Sequence, residues 1–347
     1  MSKSVDFQLS KGMIDRAGKT LISTGSTASF EHAFKVIQLW RFLHRDPLIK
    51  VRTELASLTK VRKALVVQRL KRLSSIRRKL KLQPTMMLSR MQDIGGCRAI
   101  LPTTQDVRRV KEYYFRGLIP AAHIHKVNDY MDSSPKASGY RGVHLVYRSV
   151  NQSTECLKGV LIEIQLRTQL QHAWATAVET VDVLTKQALK SSMGDDRWKR
   201  FFFLMSVALA IREHTTLPLD SPSGLELRRE LRSLTENLGI LTILGRDQKV
   251  EVLSSENIPK AEQFYFILSL NAREKKTQLI PFKRSQYRDA LEKYLLLERT
   301  TDNIPGVQVV LVSASSLNKL PYLKEAYPNY WLDVGLFVDV MNEEIDI

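Results

Sequence analysis

Two carboxylates stand out by where they fall. Glu163 lies inside LIEIQLRT, residues 161–168, a run that alternates like a strand. Side chains two apart share a face of a strand, so Leu161, Glu163, Gln165 and Arg167 point one way and Ile162, Ile164 and Leu166 the other. An apolar face buried beneath such a polar row holds a carboxylate rigidly over a cleft. Asp93 opens DIGGCRAILP, which reads as a loop entering a buried strand. Two carboxylates converging from neighbouring strands form the oxygen-rich site that Mg²⁺ favours, and Mg²⁺ in turn suggests the phosphates of a nucleotide. Arg69, Lys71, Lys79, Arg98 and Lys136 supply cations that could hold those phosphates, since no Walker A motif is present. Tyr140, in the loop Gly139-Tyr140-Arg141, could offer its ring to a base. His144 follows four residues later, at the start of a strand. Each feature also has a commonplace use: an aspartate before a strand closes an Asx turn, a tyrosine packs, and a basic run is solvated surface. Their combination points to one pocket.

The elements that must position these residues are legible in outline. FEHAFKVIQLWRFLHR has helical spacing, with Ser29 a candidate cap and Asp46-Pro47 a break, and helix is expected to continue over 53–66. Residues 60–81 carry ten Lys or Arg and no acid. Within them, RLKRL places Arg69 and Lys71 on one strand face, and Ser74 or Ser75 would cap a short helix that stops near Pro84. A helix over 105–117 should end at Gly117. Strands over 143–150 and 161–167, and a helix over 169–189, complete an α/β domain ending near residue 215. LPLDSPSG, 217–224, reads as the linker to a second unit. There ILTILGRDQKVEVL suggests a hairpin turning at Gly-Arg-Asp-Gln, QFYFILSL and VQVVLV read as strands, and RSQYRDALEKYLLLER as a helix. The tail LPYLKEAYPNYWLDVGLFVDVMN is amphipathic and aromatic.

Bulk properties bound the function. The 347 residues carry 53 Lys and Arg against 36 Asp and Glu, a net charge of +17, which attracts polyanions without choosing among nucleic acid, nucleotide and anionic membrane. The longest apolar run, FFFLMSVALAI, falls short of the roughly 18 residues a membrane span needs. No apolar signal core is visible, so a cytoplasmic protein with no membrane partner is expected. Cys97 and Cys156 alone cannot build a cysteine-rich zinc site, and both read as buried thiols.

The ordered set R69-x-K71-x-x-x-S75-I76-x-x-K79, D93-I-G-G-C-R98, K136-x-S138-G139-Y140-R141-x-V143-H144 and E163-I-Q165-x-R167-T168 resembles the synthetase domain of the RelA/SpoT family, over about residues 65 to 180. That family transfers the β,γ-pyrophosphate of ATP to a ribose 3′-hydroxyl. The resemblance implies an α/β (α+β) fold, a nucleotidyltransferase-like mixed sheet flanked by helices. It implies that Arg69, Lys71, Ser75, Lys79 and Arg98 contact ATP, and that Asp93 and Glu163 hold Mg²⁺, with Glu163 also activating the acceptor hydroxyl. Lys136, Tyr140, His144, Gln165 and Arg167 would serve the acceptor, Tyr140 stacking on its base. With only about 60 residues ahead of the basic motif, a synthetase-only member is expected. Two acceptor classes remain open: free nucleotides, giving (p)ppGpp or (p)ppApp alarmones, and the 3′ CCA end of tRNA, which the +17 charge favours. A catalytically inactive RNA-binding sensor is the reading from another class. Tyr327-Pro328-Asn329-Tyr330 forms a YxxY motif in a C-terminal unit, which looks like the CapRel fused toxin–antitoxins of phage defence. That likeness implies a toxin domain over 1–216 and, over 217–347, a smaller α/β pseudo-zinc-finger-like domain. Its YxxY helix, through Tyr327 and Tyr330, would block the ATP site until a phage structural protein, such as the major capsid protein, releases it.

Overall fold

The computed structural model describes residues 9–23, 27–116, 124–149, 159–185, 189, 194–245, 250–254, 258–302, 304–314 and 319–345. Three helices, α1 (Lys11–Ile22), α2 (Thr27–Leu43) and α3 (Arg45–Thr59), precede the first sheet. The break falls at His44, not at Asp46-Pro47: Pro47 lies in the first turn of α3, where its missing N–H costs nothing. Ser29 lies inside α2, which already runs from Thr27. Helix also stops sooner than the periodicity suggests: Lys63 has φ 50°, and β1 (Leu65–Leu70) begins two residues later. Then follow α4 (Leu73–Leu82), β2 (Gly95–Leu101), α5 (Thr104–Phe115), β3 (Ile124–Asp129), β4 (Val143–Arg148), β5 (Leu161–Thr168), α6 (Gln169–Thr185) and α7 (Asp196–Arg212). Arg72 occupies the N-cap position of α4, ahead of Ser74 and Ser75, and makes no cap bond with its side chain. The Lys71 N–H donates to the Ile94 carbonyl at 2.8 Å, which holds the chain extended until Arg72.

The five strands form a mixed sheet in the order β1-β2-β5-β4-β3, with β2 and β5 parallel and the other pairs antiparallel. β5 alternates as its residues require: Ile162, Ile164 and Leu166 are fully buried in the core shared with α1 to α5, while Glu163 and Gln165 are half-buried on the opposite face. That opposite face is where the chemistry collects.

The second sheet has the order β6-β8-β7-β9, from β6 (Glu251–Ser254), β7 (Gln263–Asn271), β8 (Lys276–Lys283) and β9 (Val307–Ser313). The expected hairpin is absent. ILTIL is helical, as α9 (Ile240–Leu244), and β6 pairs in parallel with β8; the turn residues 246–248 lie outside the described residues, as do Gly117 and Cys156. One face of this sheet packs on α10 (Tyr287–Thr301). The other shares a core with α11 (Lys319–Ala326) and with Leu65, Val67 and Ile100 of the first sheet. The amphipathic tail is broken into α11, a short 3₁₀ turn (Pro328–Trp331) and α12 (Gly335–Ile345). The YxxY motif is therefore not on an α-helix. Pro328 disfavours helical backbone at Tyr327, which sits at φ −134°, and Leu332 turns left-handed at φ 51°. The connection at 217–224 does not separate two cores. α8 (Gly224–Asn237), α9 and α12 return to α6 and α7 around Phe201, Phe202 and Phe337. No helix among the described residues is long and apolar enough to cross a membrane.

Candidate active site

The register of the first sheet brings the sequence motifs together. Gly96 lies opposite Glu163 and Arg98 opposite Gln165 in the β2–β5 pair, Arg69 lies opposite Gly96 in β1–β2, and His144 opposite Gln165 in β4–β5. Arg69, Lys71, Asp93, Arg98, Lys136, Tyr140, His144, Glu163, Gln165 and Arg167 all line one cavity of about 550 Å³. That volume is in the range of small-ligand sites.

Charge in the cavity is sorted. Asp93 is gripped by Lys71 Nζ at 2.7 Å and Lys79 Nζ at 2.9 Å. Burial works to raise its carboxyl, but the two ammoniums outweigh burial and hold it below its ordinary value. Glu163 accepts from Gln165 Nε2 at 2.7 Å and lies 3.0 Å from His144 Nδ1. Burial again opposes ionisation there, and His144 and Gln165 overcome it, so Glu163 stays a carboxylate well below the usual range. His144 Nε2 and the Tyr140 hydroxyl are 2.5 Å apart, and Arg167 donates to the same phenol oxygen through Nε at 3.2 Å and Nη2 at 2.9 Å. Burial favours the neutral phenol, but Arg167 and then His144 outweigh it and draw Tyr140 down to about 8. His144 moves up to about 9: burial disfavours its charge, and Tyr140 and Glu163 more than restore it.

Three guanidinium groups, Arg69, Arg98 and Arg167, face the same space, and none bonds a carboxylate among the described residues. Arg98 is pulled down to about 9, chiefly by burial and then by the like charges of Arg167 and Arg69. Like charges held together in a half-buried cavity are a binding site for a polyvalent anion.

Tyr140 does not stand free in its loop. Its ring meets Tyr130 and Trp174 edge-on, with centroids 5.8 and 6.4 Å away, and the Lys136 ammonium lies 5.2 Å from its centroid. The loop gets there through Gly139 at φ 82°. Ser75 is not among the lining residues; it lies in the first turn of α4, whose core-facing residues are Leu73, Ile76 and Leu80. Lys79 is not among the lining residues and reaches the site through Asp93. Several lining or neighbouring residues have no counterpart in the motif reading, among them Tyr130, Trp174, Glu179, Lys199 and Phe202. Trp174 and Glu179 lie on α6, which is buried on most sides and so shows no polar stripe in sequence.

A smaller hollow of about 50 Å³ shares Arg69, Lys71, Asp93, Arg98, Glu163 and Gln165 with the cavity and is also lined by Tyr327. The Tyr327 hydroxyl donates to the Gln68 carbonyl at 3.0 Å, and the Tyr322 hydroxyl donates to that of Val66. These carbonyls lie two apart on the outer edge of β1, so two tyrosines of the C-terminal unit close a free sheet edge. Tyr330 is buried in the core of the second sheet, where its carbonyl accepts from Thr277.

Residues 68–183 match the region found in RelA / SpoT proteins. The matched region contains every lining residue from Arg69 to Glu179, but neither Lys199 and Phe202 nor Tyr327. Over 115 residues the chain is 36% identical to the GTP pyrophosphokinase YjbM of Bacillus subtilis (strain 168), covering 32% of this chain and 52% of that protein. The chain thus spans about half the length of the curated relative it matches. The small alarmone synthetase 1 of Bacillus subtilis bound to its product pppGpp superposes with a TM-score of 0.42 at 25% identity, over 51% of this chain and 93% of that one. The Type VI effector Tas1, solved with its immunity protein, gives 0.31 at 16% identity over 57% and 94%.

The donor set beside the arginines fits Mg²⁺. No group of three or more His, Cys, Asp or Glu is placed to hold a metal among the described residues. Mg²⁺ needs no such cage: one or two carboxylates suffice when phosphates and water complete its shell, and Asp93 and Glu163 supply two hard oxygen donors on one cavity wall. The ammoniums of Lys71 and Lys79 each pair with one of the two Asp93 oxygens.

Proposed function

We propose that this chain transfers the β,γ-pyrophosphoryl group of ATP to a ribose 3′-hydroxyl, most favourably that of the tRNA 3′ CCA end, and so inhibits translation. The observation that carries the transfer is the cavity wall itself: three arginines that bond no carboxylate among the described residues, beside two carboxylates and the rings around Tyr140. Arg69, Arg98 and Lys71 face the triphosphate. Asp93 and Glu163 would hold Mg²⁺, which would supply countercharge to the phosphates. The acceptor base rests against Tyr140, which Arg167 and His144 hold by its phenol oxygen. The 3′-oxygen attacks the β-phosphorus, the bond from that phosphorus to the α–β bridging oxygen breaks, and AMP departs with the electron pair. The hydroxyl proton passes to Glu163, whose rigid seat on β5 suits in-line attack. His144 steadies Glu163 through Nδ1.

The tRNA acceptor draws on the net charge of +17, more than a lone nucleotide needs. The C-terminal unit restrains the enzyme by placing Tyr327 in the hollow beside Arg69 and Arg98. By its likeness to the fused toxin–antitoxins of phage defence, a phage structural protein such as the major capsid protein would bind that unit and free the site.

Transfer of label from γ-³²P ATP tests this, with tRNA and with GDP, GTP and adenine nucleotides offered in parallel to the wild type and to Tyr327→Ala. Label on the tRNA 3′ end, lost in Glu163→Gln, is expected. Label on free nucleotides alone would replace the tRNA reading with alarmone synthesis. Tight tRNA binding without any transfer would leave an inactive RNA-binding sensor.

A further inference from the structure

The helix that carries Lys79, and that Lys71 leads into, lacks a cap of its own. Arg72 stands at the N-cap position of α4 and makes no side-chain cap bond. The Leu73 N–H, buried in the core, instead donates to Glu298 Oε1 at 2.7 Å, from 225 residues away on α10. Glu298 is itself buried and has no spare oxygen. Oε1 also accepts from the Tyr294 hydroxyl at 2.7 Å, and Arg41 of α2 donates to Oε2 through Nη1 at 2.7 Å and to Oε1 through Nη2 at 3.3 Å. Arg72 reaches Gln308 of β9 at 3.0 Å, and Arg77 pairs with Asp302 at the end of α10. The start of α4 is thus fastened to the C-terminal unit, and its far end, through Lys79, to Asp93.

We propose that Glu298 is a positioning residue for the phosphate-handling lysines, so that the C-terminal unit completes the site that it also covers. This rests on the ATP-site reading above. A buried carboxylate is a costly way to pack two units together, because an apolar side chain would serve as well. What an apolar side chain cannot do is accept the Leu73 N–H and place negative charge at the N-terminus of a helix. With that end fixed, Lys71, immediately before α4, and Lys79, in its last turn, meet on the two oxygens of Asp93. The restraint is a different and lighter contact: Tyr327 is joined to β1 by one neutral hydrogen bond. An activator that frees the cavity must therefore move Tyr327 while leaving α10 docked.

The test uses the full chain in a Tyr327→Ala background, with Mg²⁺ and α,β-methylene-ATP as the binding probe. Glu298→Ala should weaken probe binding about tenfold, the size of a lost cap. The KM for ATP should rise alongside while kcat changes less than twofold. Glu298→Gln keeps an oxygen for Leu73 but not the charge; it should weaken binding about threefold and is read alone if the alanine variant does not fold. Tyr294→Phe, which spares the cap, should lower the thermal midpoint and leave binding unchanged. Unchanged probe binding in a folded, less stable Glu298 variant would reduce Glu298 to packing and overturn the proposal. Tighter binding would make α10 part of the restraint and overturn it equally. Probe binding needs no acceptor, so failure to label any acceptor would strike the transfer reading and leave this result intact.

Discussion

Replacing Tyr327 by phenylalanine isolates what the tail contributes. The ring is 4% exposed, and its hydroxyl donates to the Gln68 carbonyl on the outer edge of β1. Burial pushes the phenol up, so the bond is neutral at physiological pH. Deleting one neutral buried bond and leaving its carbonyl behind costs the docked tail about 1.4 kcal/mol. If ATP binds only when the hollow is clear, the apparent affinity scales with the fraction of molecules in which the tail has left. A docked state weakened by about 1.4 kcal/mol raises that fraction, and the affinity for α,β-methylene-ATP, about tenfold. Tyr327→Ala also loses the ring, a change of about 3 kcal/mol or more, and should carry the open fraction towards its ceiling. Tyr322→Phe removes the matching bond to Val66 without touching the hollow, and should shift the same equilibrium by the same order. Isothermal titration of the full-length variants reads all three. A Tyr327→Ala protein that is less stable than wild type yet binds the analogue no better would refute the reasoning, because the ring would then be core and nothing more.

Gly139→Ala should raise the acceptor KM several-fold and leave ATP affinity alone. A Cβ at φ 82° is strained, and it would lie 3.0 Å from the Ser206 Cβ and 3.1 Å from the Phe202 carbonyl, shifting the loop that carries Tyr140. His44 makes stability fall in acid. It is fully buried, with Nδ1 2.8 Å from the Trp40 carbonyl, and burial pulls it down to about 4. The unfolded chain takes up a proton first, below about pH 6.5, so stability on the order of 3 kcal/mol is present above that pH and is lost as pH falls towards 4. Thermal midpoints of wild type and His44→Phe should converge or cross over that window, and parallel curves would exclude the assignment. Cys97 is 2% exposed and burial pushes its thiol well above the ordinary range, so in a Cys156→Ser background a disulfide reagent should react only as fast as the protein unfolds. Rapid reaction in the folded protein would show a route to β2 that the packing does not contain.

The cavity wall was legible where it follows one strand. Alternation in LIEIQLRT places Glu163 and Gln165 together on the face opposite Ile162, Ile164 and Leu166. Pattern fails for the walls that come from elsewhere. Trp174 and Glu179 sit on a helix buried on most sides, so nothing in their spacing separates a core residue from a lining one. β8 is hidden by Pro281, which argues against an interior strand. Among the described residues β6 pairs with β8 only over residues 276–279, and Pro281 pairs with Phe266 of β7. The tail misled in the opposite sense. Its apolar spacing is helical, and Pro328 was the overriding signal, since it breaks the helix just where Tyr327 must turn towards β1.

The hardest feature to read is the one that joins the two units. A carboxylate at 298 looks like any acid on the polar side of RSQYRDALEKYLLLER, and the N–H of Leu73 has no sequence signature at all. Local rules would place Glu298 in solvent and give α4 a serine cap. Both expectations fail for one reason: α10 packs over the start of α4, which buries the acid and makes it the cap. A local preference describes what a segment does against water, and here another part of the chain has taken the place of water. The same exchange explains why the linker at 217–224 divides composition without dividing the core. Helices α8 and α12 find their apolar partners on α6 and α7, across the boundary, so the unit that shades the cavity also helps build the helices behind it.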